Sequence, residues 1–172
     1  MIPAQSPPRH QRYVVIEFAP TSGCLGSIVS VVTDFCRNVV DDQRIKYAFQ
    51  LAAYELTENM VNYSTGGLVS LRVEVERSLQ GLEIVLSTWN ETTPERLADA
   101  VAQLETLEQV TDPTAHFDEL VRQSLVEPNE SRLGLGRLRA AGGLALSHQV
   151  ADSSLVVQVR RSARASDEGR NP

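Results

Sequence analysis

Glu55-Leu56-Thr57-Glu58-Asn59-Met60-Val61-Asn62-Tyr63 places a carboxylate and a carboxamide four residues apart inside an apolar helical pattern. Positions i and i+4 of a helix lie one above the other on the same face. Glu55 and Asn59 are therefore expected to point into one pocket. A carboxylate there can act as a base. A carboxamide oxygen is a hard donor suited to Mg2+. Two ordinary polar residues on the wet side of a helix would read the same way.

Around this pair the pattern is continuous. Ile45, Phe49, Ala52, Ala53, Leu56, Met60 and Val61 recur near a 3.6-residue period and are expected to face inward. Asp42 is placed to cap the helix, and Thr65-Gly66-Gly67 to end it. Upstream, Tyr13 to Phe18 reads as a strand, and Leu25 to Val40 as a helix. Downstream, Val69, Leu71, Val73 and Val75 alternate with polar residues, and Leu82 to Ser87 returns after a turn at Ser78 to Gly81, predicting a hairpin. Pro94 to Leu107 and Thr114 to Val126 then read as two helices, the first inward through Leu97, Val101, Leu104 and Leu107, the second through Phe117, Leu120, Val121 and Leu125. A short helix opening at Leu133 and two strands, Leu144 to Val150 and Leu155 to Arg160, close the chain. Blocks of helix and strand in this order predict an α+β two-layer sandwich, a mixed but mainly antiparallel sheet covered on one face by helices. One domain is expected over residues 12–161, with a helical insert at about 92–130 and flexible tails at 1–11 and 162–172.

Composition narrows the function. The 172 residues fit one domain with a real core, and the apolar content of 42% is ordinary. A net charge of -6 argues against binding nucleic acid or an anionic membrane surface. No apolar run approaches the roughly 18–20 residues of a membrane span, and the N-terminus lacks the pattern of a signal peptide, so the cytoplasm is expected. Cys24 and Cys36 are too few for a disulfide framework. His10, His116 and His148 have no zinc-ligand spacing.

Two further stretches carry chemistry. In Ser131-Arg132-Leu133-Gly134-Leu135-Gly136-Arg137, glycines placed just before a helix could bring backbone amides to an anion, with Arg132 and Arg137 adding charge. A loop that needs positive φ is the plainer alternative. In Thr88-Trp89-Asn90-Glu91-Thr92, a carboxamide at a strand end could hydrogen-bond a base edge, or could simply cap the next helix. Trp89, the only tryptophan, is expected in the core or the wall of the cleft.

Taken together, this order resembles the GHKL (Bergerat-like) ATP-binding fold over roughly residues 13–160. Glu55 to Tyr63 looks like its N box and Leu133-Gly134-Leu135-Gly136 like its second glycine box. The first glycine box is degenerate: Asn90 stands near the position of the usual Asp, and Thr88 to Thr93 contains no glycine. The chain is more similar to the stand-alone SiaB-type and anti-sigma-factor-type bacterial protein kinases. The SiaB-type proteins carry a Thr-Gly-Asn-like motif where this chain has Thr88-Trp89-Asn90, and then a helical segment before Gly-Leu-Gly.

The resemblance implies a Mg-ATP-dependent serine/threonine kinase acting on a small regulatory protein in a partner-switching pathway. Glu55 would be its base and Asn59 its metal ligand. Asn59, Asn90, Thr88, Gly134, Gly136 and Arg137 would bind ATP. The alternative is a nucleotide-free pseudo-kinase that works as a protein-binding module. Isolated domains of this type often pair, so a homodimer is also implied.

Overall fold

Strict alternation along two neighbouring segments forces a sheet with one buried face. A strand turns successive side chains to opposite sides, and Val69, Leu71, Val73 and Val75 are buried together with Leu82, Ile84 and Leu86 across the turn. The computed structural model describes residues 10–79, 81–125 and 130–164. Its elements are β1 (His10–Phe18), α1 (Leu25–Val39), α2 (Gln43–Tyr63), β2 (Val69–Ser78), β3 (Gly81–Glu91), α3 (Pro94–Gln109), α4 (Pro113–Ser124), α5 (Glu130–Ala140), β4 (Ala145–Ala151) and β5 (Ser154–Arg164). The strands pair in the order β1-β2-β3-β5-β4, every pair antiparallel. The sheet is thus wholly antiparallel where a mixed one was expected. β1 and β5 also reach into the expected tails, taking in residues 10, 11 and 162–164. The remainder of both tails lies outside the described residues.

The helical layer covers one face. Asp42 caps α2, its carboxylate accepting from the backbone N–H of Arg44 (2.7 Å) and Ile45 (3.2 Å). The inward stripe of α2, with Ile45, Phe49, Leu56 and Met60, packs with Val32 and Cys36 of α1 against β2 and β3. Ala48, Ala52 and Ala53 are fully buried, small enough to let the helix lie close to its neighbours. Gly66 and Gly67 take φ of 109° and 79° in the turn into β2, a region closed to most side chains. Burying a Leu or Phe contributes about 1.5–3 kcal/mol, so this stripe anchors the helix that carries the candidate site.

The insert is two separate helices. α3 is capped by the Thr93 hydroxyl and starts at Pro94, and its Leu104 and Leu107 are buried. His148 Nδ1 on β4 lies 2.7 Å from Glu108 Oε1 near the end of α3, pinning the helix to the sheet edge. α4 is peripheral. Phe117 and Leu120 meet α5 at Gly136, but Val121 and Leu125, expected inward, are exposed. α4 packs on α5 rather than on the sheet, so only a narrow stripe of it finds a partner.

Among the described residues nothing covers the opposite face of the sheet. Tyr13, Val15, Arg72, Glu74 and Trp89 stand on it, Arg72 lying 4.9 Å from the Tyr13 ring centroid and 2.7 Å from Glu74. Trp89 is 37% exposed, so the expectation that it lines the core or cleft is corrected. It sits between Thr88 and Asn90, both of which face inward, and a strand then sends the middle residue outward.

Candidate functional site

A cavity of about 220 Å3 lies between the C-terminal half of α2, the ends of β3 and β5, and α3. Buried Leu56, Met60, Leu104, Leu135, Leu155 and Val157 make its apolar floor. Asn59 comes from α2, Thr88 and Asn90 from β3. The exposed residues Arg96 and Asp99, with half-buried Gln103, form its rim on α3. Ligand pockets combine an apolar lining with a few polar groups in this way, usually at about 300–1,000 Å3. This cavity is smaller and suits a compact ligand, or one part of a larger one.

Two of the cavity's polar side chains, Asn59 and Asn90, are unpaired among the described residues. Asn90 is only 6% exposed, yet its carboxamide has no hydrogen-bond partner among the described residues. A ligand edge offering one donor and one acceptor would satisfy it. Asn59 is likewise unpaired among the described residues. The Thr88 hydroxyl donates to the Val157 carbonyl at 3.4 Å, across its own register pair, and keeps acceptor capacity for the cavity. Asn90 is not the cap of α3, since Thr93 fills that role. Thr92 donates to the Tyr63 carbonyl at 2.7 Å and ties the end of α2 to the rim.

Glu55 does not join them. It is 3% exposed and faces α5, where Arg137 Nη2 lies 2.8 Å from its Oε1. The contact is ionic but poorly aligned, so Oε1 makes no geometrically sound hydrogen bond. Its other oxygen abuts Gly134, where a β-carbon would overlap it. Desolvation raises the Glu55 pKa above the ordinary carboxylate range, with Arg137 opposing and Glu58 reinforcing the shift. Four residues along a helix mean a rise of about 6 Å and a turn of about 40°. That is enough to put Glu55 under α5 and Asn59 beside β3. The expected convergence of the two on one pocket is therefore corrected.

The glycine segment is corrected too. Gly134 and Gly136 lie inside α5, not in a loop before it. An amide a full turn into a helix already bonds the carbonyl four residues back, and only the first four N–H groups stay open to an anion. The two glycines instead permit close packing. A β-carbon at Gly136 would come within 2.7 Å of Leu120 Cδ1 and 3.4 Å of Phe117 Cδ2. Arg137, expected on phosphate, pairs with Glu55. The side chain of Arg132 lies outside the described residues.

Among the described residues no group of three His, Cys, Asp or Glu side chains could hold a metal ion, and no helix is long and apolar enough to cross a membrane. Asn59 and Asp99 are a carboxamide and a carboxylate among the oxygen donors that line the cavity. Mg2+ binds through one or two protein ligands plus phosphate oxygens and waters, so the pair fits a metal that arrives with a ligand rather than one held by the protein alone.

The described fold superposes on a chain of the crystal structure of the SiaB-SiaC complex from Pseudomonas aeruginosa with a TM-score of 0.58. The match covers 86% of this chain and 89% of that one, at 16% identity. The chain has a SiaB-like fold. At that identity the likeness speaks to architecture alone. No family model matches the sequence, and no curated protein does.

The residues missed by sequence reasoning are Arg96, Asp99 and Gln103. A signal for them existed: Arg96, Ala100, Gln103 and Leu104 are spaced i, i+4, i+7 and i+8, which places all four on one helix face.

Proposed function

We propose that this chain is a cytoplasmic regulatory protein that acts by binding a small protein partner. The observation that supports it is the SiaB-like fold over 86% of the chain, a likeness to a protein solved within a two-protein complex. The protein-binding module is favoured over an active kinase by Glu55. The candidate base is buried, paired with Arg137 and outside the cavity. Sedimentation of the purified protein with a SiaC-like protein from the same genome tests this. A 1:1 complex at micromolar concentration is expected, and separate sedimentation of both would refute it. The same run on the protein alone reads whether it forms a homodimer.

A second reading has its own support. Asn59, Thr88 and Asn90 surround one cavity, as a GHKL-like nucleotide site requires. In that case ATP with Mg2+ binds there, and serine/threonine phosphotransfer awaits movement of α5 off Glu55. Asn59 would contact the metal and Asn90 the base edge. In such chemistry the protein contributes positioning and charge neutralisation. Calorimetry with Mg-ATP on the wild type and Asn59→Ala tests it. Binding that weakens at least tenfold in the variant is expected, and equal, very weak heats from both would sink it.

A further inference from the structure

The charge of the cavity wall is unevenly supplied. Among the described residues that line the cavity, Arg96 is the one cationic side chain, and it comes from α3, an element to which the sequence assigned no ligand role. Of the segment expected to hold an anion, Ser131 to Arg137, the glycine amides are inside α5 and Arg137 is on Glu55.

Arg96 itself is weakly held. Its Nη1 lies 3.5 Å from the Asn62 carbonyl, and its guanidinium is 5.9 Å from the centre of the Tyr63 ring, both near the limit of a useful contact. It forms no ion pair with a carboxylate among the described residues, although Asp99 stands one turn along the same rim. An exposed guanidinium on loose contacts can re-aim at low cost. A second observation points inward from beneath it. Asn90, a residue more than nine-tenths buried, has an unpaired carboxamide and lines the same cavity. The small apolar floor then suits a planar group that satisfies Asn90, and the rest of such a ligand must leave past the rim.

We propose that Arg96 is the residue that binds the anionic end of this cavity's ligand, a phosphorylated nucleoside, in place of the glycine segment. This rests on the nucleotide reading of the cavity. The base sits on Leu56, Leu104, Leu155 and Val157 with its edge on Asn90, and the first phosphate meets the guanidinium as a charge-assisted, two-pronged contact. Asp99 sets a limit on the same rim. Its carboxylate repels a bare polyphosphate, so a monophosphate, or a longer chain neutralised by Mg2+, is preferred over free ATP.

Calorimetry with adenosine, AMP, and ATP with and without Mg2+ tests the assignment on the full chain, using wild type, Arg96→Gln and Arg96→Lys. Wild type is expected to bind AMP about 10–100-fold tighter than adenosine, the ratio a charge-assisted contact supplies. Arg96→Gln should lose that ratio while its adenosine affinity stays unchanged. Arg96→Lys should keep part of it, because a point charge remains but the fork is gone. Thermal unfolding of each variant without ligand checks that the fold survives. Arg96→Gln binding AMP as wild type does, or weakening adenosine and AMP alike, would overturn the proposal while leaving the nucleotide reading in place. Wild type binding none of the four would end both.

Discussion

Replacing Arg137 with Gln removes the one cation paired with Glu55 among the described residues and leaves a carboxylate that is 3% exposed. Removing one partner of a fully buried ion pair costs about 3–5 kcal/mol. Arg137 is itself 46% exposed, so water already screens the pair and the cost must be discounted, to about 2 kcal/mol. For a chain of this size that lowers Tm by about 4–8 °C. The pH dependence identifies the cause. Burial raises the Glu55 pKa, and an acid whose pKa is higher folded than unfolded favours the fold below its unfolded pKa. That contribution is lost as pH rises through the folded value. Without Arg137 the folded value climbs further, so the variant's deficit should be largest at about pH 7.5 and should shrink by about half or more at about pH 5. In Glu55→Gln/Arg137→Gln no charge is left to bury, so that variant should recover most of the lost stability and no longer carry the pH dependence that Glu55 brings. Thermal unfolding followed by far-UV circular dichroism at both pH values measures all three proteins. A deficit in Arg137→Gln that is the same at both pH values and is not relieved in the double variant would refute the ion-pair account.

Other substitutions test the packing. Gly136→Ala brings a β-carbon to 2.7 Å from Leu120, and overpacking of about 1–3 kcal/mol should exceed the roughly 0.5–1 kcal/mol gained by removing a mid-helix glycine. Urea unfolding should show net destabilisation, and Leu120→Ala in the same chain should relieve it. Asp42→Ala removes two accepted N–H bonds at the start of α2 and should cost about 1 kcal/mol, read in the same assay. The Cys36 thiol is pushed up to about 11, chiefly by burial and against the pull of Lys46. The native protein at about pH 8 should therefore be alkylated at half-buried Cys24 alone, with Cys36 reacting only after denaturation. Rapid modification of both in native buffer would contradict the buried site.

The fold was largely legible because its signals are local. The alternation of Val69 to Val75, the cap at Asp42 and the stop at Gly66-Gly67 each act within a few residues, and each appears where the sequence put it. The site was legible only in part. Thr88 and Asn90 share a face by the period of a strand, and Asn59 reaches them because Leu56 and Met60 fix the roll of α2. Glu55 and the glycines depend on what lies opposite. A Gly-x-Gly serves a left-handed loop or a tight helix crossing equally well. What decides here is a carboxylate on α2 and a leucine on α4, both distant in sequence. The side of Trp89 was readable from its neighbours. Its size suggested burial, but the strand period overrode size.

That placement gives the protein a built-in optical reporter. The lone indole is one residue from each of two cavity groups along the chain, but the whole thickness of the sheet separates it from them in space. Its emission should barely respond when a small molecule fills the hollow. It should shift to shorter wavelength when another macromolecule covers the bare side of the strands. One intrinsic fluorophore can thus tell the two kinds of binding event apart without any label.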